Sequence, residues 1–163
     1  MINRYLPHIL VLPEDDANSQ LANGFLLDLD QPALAKIQVL PEAGGWGAVL
    51  DTFESDHIAG MDRYTERYMI LLIDFDGDEG RADAAKLRIP ERLSDRVFIL
   101  GARTEPEALK RSGLGSYETI GRAIAEDCRR DADTTWGHNL LRNNASEISR
   151  LRQFARPILF QPN

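Results

Sequence analysis

Met69-Ile70-Leu71-Leu72-Ile73 is an unbroken apolar run with no polar residue to turn toward water. A strand of that kind is stable when both of its faces are covered. A second run, Ile9-Leu10-Val11-Leu12, lies near the amino terminus and is stopped by Pro13. Lys36-Ile37-Gln38-Val39-Leu40 and Arg96-Val97-Phe98-Ile99-Leu100-Gly101 are shorter members of the same set. Strands covered on both faces belong to parallel sheets, whose crossovers are helices packed on the two sides.

The intervening sequence supplies those helices. Leu21, Phe25, Leu26 and Leu29 recur at helical spacing behind Asn18 as N-cap, which predicts a helix over about 17–27 with Gly24 as a weak point. The turn Pro41-Glu42-Ala43-Gly44-Gly45 opens into Trp46, Val49, Leu50 and Phe53, again at helical spacing. The stretch from Ser55 to Arg67 is polar and aperiodic and predicts no element. A polar helix is expected over Ala82 to Leu87, broken before Pro90. Another starts at Thr104 with Pro106 in its first turn, and a third at Ser116, carrying Ile120, Ala123, Ile124 and Cys128. In the tail, Asp133 or Thr134 is expected to cap a helix bearing Trp136, Leu140 and Leu141. Asn144 with Glu147 resembles a capping box ahead of Ile148, Leu151 and Phe154, and Pro157 to Phe160 is expected to form a last strand at a sheet edge.

Strands alternating with helices predict an α/β fold: a three-layer, mostly parallel, doubly wound sheet with a helical C-terminal extension. A chain of 163 residues suits one domain over 1–163, with an α/β core at 8–110 and the extension at 111–163. No apolar run approaches the roughly 20 residues a bilayer needs, and no basic-then-apolar leader is present. A cytoplasmic protein with no membrane partner is therefore expected. Cys128 is the single cysteine, and His8, His57 and His138 lack zinc-ligand spacing, so any metal would be held by oxygen. A net charge of −7 argues against binding nucleic acid by bulk electrostatics, so a polyanion would have to be met locally.

Acids cluster at two strand ends: Glu14-Asp15-Asp16 after the first, and Asp74-Phe75-Asp76-Gly77-Asp78-Glu79 after the third. Ligands of such sheets bind beyond the carboxyl ends of the strands, and a doubly wound order places the first and third strands side by side. Glu14, Asp74 and Asp76 are then expected to converge. Carboxylates in one crevice repel each other, and a hard divalent cation, Mg²⁺ or Mn²⁺, removes the conflict and suits phosphoryl chemistry. Asp78 is close enough in sequence to support the site. Arg81 and Lys86 follow the acidic turn and would either contact a phosphate or neutralise neighbouring acids. Arg142, Arg150, Arg152 and Arg156 form a basic stripe in the tail, suited to a nucleic-acid backbone or an acidic partner, and His138 is more readily a packing residue than a base.

These residues resemble the Toprim family, whose pattern is a strand ending in one Glu and a later strand ending in Asp-x-Asp. Val11-Leu12-Pro13-Glu14-Asp15-Asp16-Ala17-Asn18 is similar to the first motif, and Ile73-Asp74-Phe75-Asp76 to the second. Ala43-Gly44-Gly45 resembles the glycine turn of the family's nucleases, including the overcoming-lysogeny-defect and ribosomal-RNA maturation types. Two departures stand out: Asp15 occupies a position usually held by Gly, and Gly80 falls one residue later than the family's Gly. The likeness spans about 8–110. It implies metal-dependent cleavage of DNA or RNA by Glu14, Asp74 and Asp76, with Glu105 or Glu107 near a second metal, and the small size and acidic surface suggest action beside a larger protein partner.

Two other patterns compete. Asp74-Phe75-Asp76-Gly77 resembles the haloacid-dehalogenase nucleophile motif, but that motif opens its fold on the first strand. Asp15, Asp16 and Asp74 resemble the acidic pocket of a receiver domain, which also wants a Ser or Thr ending the fourth strand and a Lys ending a fifth. A binding or regulatory module without catalysis, either a degenerate Toprim or a receiver-like domain, is the alternative reading.

Overall fold

The computed structural model describes residues 2–160. The apolar runs form strands β1 (His8–Pro13), β2 (Ile37–Val39), β3 (Arg67–Leu72) and β4 (Val97–Leu100), all parallel, in the order β2-β1-β3-β4. This is the doubly wound α/β arrangement the sequence predicts. It sets β1 against β3, with Val11 opposite Ile70 and Pro13 opposite Leu72. Successive side chains leave a strand on opposite faces, so each apolar run feeds two cores. Leu10, Leu12, Met69 and Leu71 join Val49, Leu50, Phe53 and Met61 on one face. Ile9, Val11, Phe98 and Leu100 join Ala22, Ile148, Leu151 and Ile158 on the other.

Helices α3 (Trp46–Thr52), α4 (Ile58–Arg63) and α5 (Gly80–Leu87) cover the first face. Helices α1 (Asp16–Leu27), α2 (Gln31–Leu34), α7 (Tyr117–Arg130) and α8 (Ala145–Leu159) cover the second. The short α6 (Pro106–Arg111) adds Leu109 to a third cluster shared with Leu21 of α1 and Ile120 of α7. Gly24 is not a weakness. A Cβ there would meet the Glu118 carbonyl oxygen at 2.6 Å, and one on Gly121 would meet the Phe25 nitrogen at 2.7 Å, so these glycines let the α1 and α7 backbones touch.

Several local expectations are corrected. Asp15, not Asn18, caps α1: its carboxylate accepts from the Asn18 backbone N–H at 3.0 Å, and Asn18 lies buried in the first turn. Ser116 caps α7 as expected, accepting from the Thr119 N–H at 3.1 Å. Thr104 does not cap α6. The cap position falls to Glu105, with no side-chain bond, and the Thr104 carbonyl instead accepts from the Asp76 N–H at 2.9 Å. The aperiodic stretch from Ser55 is helical as far as Arg63, because α3 runs through a π-turn (Phe53–His57) into α4. An extra residue per turn shifts the apolar phase and hides the 3.6-residue period.

The tail differs most. Residues 134–141 form successive turns rather than a capped helix, with the Asp127 carboxylate accepting from the Thr135 and Trp136 N–H groups at 2.7 and 2.9 Å. Pro157 to Phe160 form no strand: α8 continues through Pro157 to Leu159. Asn144 and Glu147 do not close a capping box. They reach the open edge of β4 instead. Glu147 Oε2 accepts from the Ile99 N–H at 3.0 Å, and the Asn144 amide accepts from the Gly101 N–H at 3.0 Å and donates to the Gly101 carbonyl at 2.8 Å. Arg150 adds a bond to the Val97 carbonyl at 3.2 Å. The side chains of α8 and the turn before it thus do the work of a neighbouring strand.

Candidate metal centre

The site grows out of the carboxyl end of β1. The Glu14 N–H donates to the Leu72 carbonyl at 2.9 Å, one step beyond the last paired residues, so the Glu14 side chain arrives where β3 gives way to Asp74. Glu14 Oε2 accepts from the Asp74 N–H at 2.6 Å. The glycine turn closes over the same residue: the Gly44 and Gly45 N–H groups point at the Glu14 carbonyl at 2.8 and 3.2 Å. Their φ angles of 98° and 147° exclude most other residues.

Asn18 ties the acids together. Its Nδ2 donates to Asp15 Oδ1 and to Asp74 Oδ1, both at 2.9 Å, while its own Oδ1 is buried without a partner among the described residues. Glu14, Asp15 and Asp74 each bring one carboxylate oxygen within 4.8 Å of the others. Within each carboxylate one oxygen takes the holding bonds, and Glu14 Oε1, Asp15 Oδ2 and Asp74 Oδ2 accept none from the described residues.

The electrostatics follow from that crowding. Burial pushes the Asp74 carboxyl up to about 7, against the Asn18 bond, and the charges of Glu14, Asp15 and Glu107 push in the same direction. Burial also raises Glu14, opposed by the Asp74 N–H and aided by Asp15. Hard oxygen donors with free lone pairs are the ligand set that fits a hard divalent cation.

Asp76 stands at the rim. A φ of 50° turns the backbone there, and the side chain is 58% exposed, 3.3 Å from Arg81 Nη1. Arg81 Nη1 also donates to the Asp74 carbonyl at 2.6 Å, and its guanidinium lies 4.6 Å from the Trp46 ring centroid. Trp46 is thus half-buried beneath the site rather than deep in the core.

The remaining expected residues are spread out. Glu107 is exposed on the first turn of α6, near enough to act on Asp74 through its field. Glu105 pairs with Arg111 at 2.9 Å, and Asp78 Oδ1 accepts from the Gly80 N–H at 2.9 Å at the start of α5. Lys86 lies 3.5 Å from Glu147, in a cleft of about 270 Å³ between α5 and the start of α8. The basic stripe is largely engaged within the fold. Arg150 holds Glu147 and the β4 edge, Arg152 holds Asp133 at 3.1 Å, and Arg156 donates to the Arg129 carbonyl. His138 Nδ1 accepts from the Leu140 N–H within a turn.

The Toprim-like ligand set omits Asp15 and Asn18; the sequence offers the first beside Asp74 only in the receiver-like pattern and the second only as a cap. Asp-x-x-Asn at a helix start reads as capping, which it also is; the usable signal is an Asn placed beside Ala17 and Leu21 on the buried side of α1. No family model matches this chain, and no curated protein or solved structure matches it either.

Proposed function

We propose that this protein cleaves phosphodiester bonds in nucleic acid with the help of Mg²⁺ or Mn²⁺, in the manner of a Toprim-like nuclease. The observation that carries this reading is the convergence of Glu14, Asp15 and Asp74 at the carboxyl ends of adjacent parallel strands. Their three free oxygens would hold the ion, and Asn18 fixes the geometry of two of them. A bound divalent ion supplies water activation and stabilisation of the leaving oxygen.

The chain's own groups do the rest. The Glu14 bond to the Asp74 N–H keeps the two strand ends in register. Arg81, anchored on the Asp74 carbonyl and on Trp46, has an Nη2 with no hydrogen bond among the described residues, placed to donate to a phosphate oxygen. Asp76 beside it is the exposed carboxylate able to take a proton from an attacking water. DNA and RNA are both substrates of the proposed class, and a larger partner would extend the nucleic-acid contact.

Titration calorimetry with Mg²⁺ and Mn²⁺ on the wild type and on Asp15→Asn/Asp74→Asn, followed by incubation with single- and double-stranded DNA and RNA, tests the reading. Binding and cleavage should vanish together in the variant. Cleavage that survives the double substitution would overturn it. One observation favours the alternative of a non-catalytic module: Arg81 already sets a positive charge against Asp76 and the Asp74 carbonyl, a built-in substitute for a cation. Wild-type protein that binds neither ion would select that alternative.

A further inference from the structure

At the opposite end of the sheet, roughly 20 Å from the carboxylates by the rise of a six-residue strand, the charge pattern reverses. Arg67 opens β3 and is only 9% exposed. Its Nε donates to His8 Nε2 at 3.0 Å, and His8 Nδ1 in turn faces the Leu6 carbonyl at 2.8 Å. A ring that accepts at Nε2 and donates at Nδ1 is neutral, so it offers Arg67 no counter-charge. The two terminal nitrogens of Arg67 make no hydrogen bond, and no carboxylate lies within ion-pair distance, among the described residues.

Arg67 is not alone. The guanidinium carbons of Arg4, Arg63 and Arg67 stand 5.5, 5.4 and 4.8 Å from the centroid of the Tyr64 ring. Elsewhere on this acidic chain many arginines are matched, among them Arg88 with Asp51 and Glu54, Arg92 with Asp62, and Arg129 with Asp28, while Arg96 and Arg156, in no ion pair among the described residues, donate to backbone carbonyls. Around Tyr64 three like charges gather, none of them in an ion pair among the described residues. Gly60 makes the arrangement possible, since a Cβ there would meet Arg67 Nη1 at 2.6 Å. Burial and the neighbouring Arg4 charge also lower the Arg67 pKa, the response of a cation lacking its anion.

We propose that Arg67, Arg4 and Arg63 form an anion site around Tyr64 that binds a phosphate group. Three guanidinium forks supply more donors than a carboxylate's two oxygens can use, and a phosphate's oxygens and double charge match them. The site uses none of the carboxylate cluster and does not rest on the function proposed above.

The test is run without divalent metal, in EDTA. Inorganic phosphate is titrated against chloride at matched ionic strength, by calorimetry and thermal melting, followed by a 12-nucleotide single strand. Phosphate should raise the wild-type melting temperature where chloride does not. The dissociation constant should rise at least tenfold in Arg67→Gln and in Arg4→Ala/Arg63→Ala, the latter changing exposed residues only. Gly60→Ala should weaken binding several-fold without lowering the metal-free melting temperature. If Arg67→Gln does not fold, the surface double variant decides. Equal stabilisation by chloride, or unchanged phosphate affinity in the double variant, would overturn the site. An oligonucleotide that binds more tightly than phosphate, and loses that binding in the variants, identifies a nucleic-acid backbone as the source; equal affinity identifies a free phosphoryl ligand.

Discussion

Replacing Asp74 by Asn removes a charge that burial, and after it the neighbouring acids, disfavour, while keeping the shape of the side chain. The backbone N–H to Glu14 survives, and the amide oxygen can still accept from Asn18. A carboxyl held at about 7 instead of its ordinary 3.8 implies roughly 4 kcal/mol lost when it ionises in the folded chain, at about 1.4 kcal/mol per unit. Placing a new amide N–H₂ there gives back about 2 kcal/mol, for a net gain of about 2 kcal/mol. The sign is fixed by proton uptake. The folded state keeps the Asp74 proton where the unfolded chain loses it, so the group favours folding most below its ordinary value. That contribution falls as pH rises and is gone above about 7. Asp74→Asn should therefore melt about 4–8 °C above the wild type at pH 8 in EDTA, and the gap should close at about pH 5 and reverse toward about pH 4, where only the cost of the amide is left. Adding Mg²⁺ should raise the wild type and leave the variant unmoved. A variant less stable than the wild type at pH 8 in EDTA would refute the argument, because it would mean the carboxylate is not under strain.

Three further outcomes follow from the packing. Glu147→Ala strands the Ile99 N–H in a buried position and should cost about 2–3 kcal/mol in denaturant unfolding; a loss under 0.5 kcal/mol would show that the β4 edge finds water instead. Gly121→Ala drives a methyl into the α1 backbone and should destabilise by about 3 kcal/mol, whereas a gain, as at an exposed helical site, would refute the α1–α7 contact. Burial lowers the His8 pKa, so the folded state resists its protonation and this contribution to stability is lost as pH falls through the histidine range. His8→Gln should remove that part of the pH dependence, read as the difference between the two melting profiles; identical profiles would contradict it.

The sheet was legible because the apolar runs Ile9 to Leu12 of β1 and Met69 to Leu72 of β3 are covered on both faces and hold no polar residue: these two strands declared themselves, and with them the meeting of Glu14 and Asp74. Elements failed to show where local rules met tertiary packing. The π-turn broke the apolar phase between Phe53 and Met61, and α4 vanished into an aperiodic stretch. Pro157 suggested a helix stop, yet Ile148, Leu151, Ala155, Ile158 and Leu159 keep helical spacing across it and are all buried. That apolar stripe outweighs one missing backbone bond. Asp76 was expected inside the cluster because it sits two residues after Asp74, but the left-handed turn at its own backbone swings it to the rim. Asp15 took its place through the start of α1, a geometry that sequence spacing does not encode.

The bonds from Asn144, Glu147 and Arg150 to β4 also decide how the molecule meets copies of itself. A parallel sheet has two borders, and either can recruit a foreign strand. Here one border is spoken for by side chains, whose fixed spacing along α8 admits no sliding partner. The other is β2, only three residues long. Growth by strand addition is thereby confined to a border too short to sustain it, and the helical tail, whatever else it does, guards the chain against fibrous self-assembly.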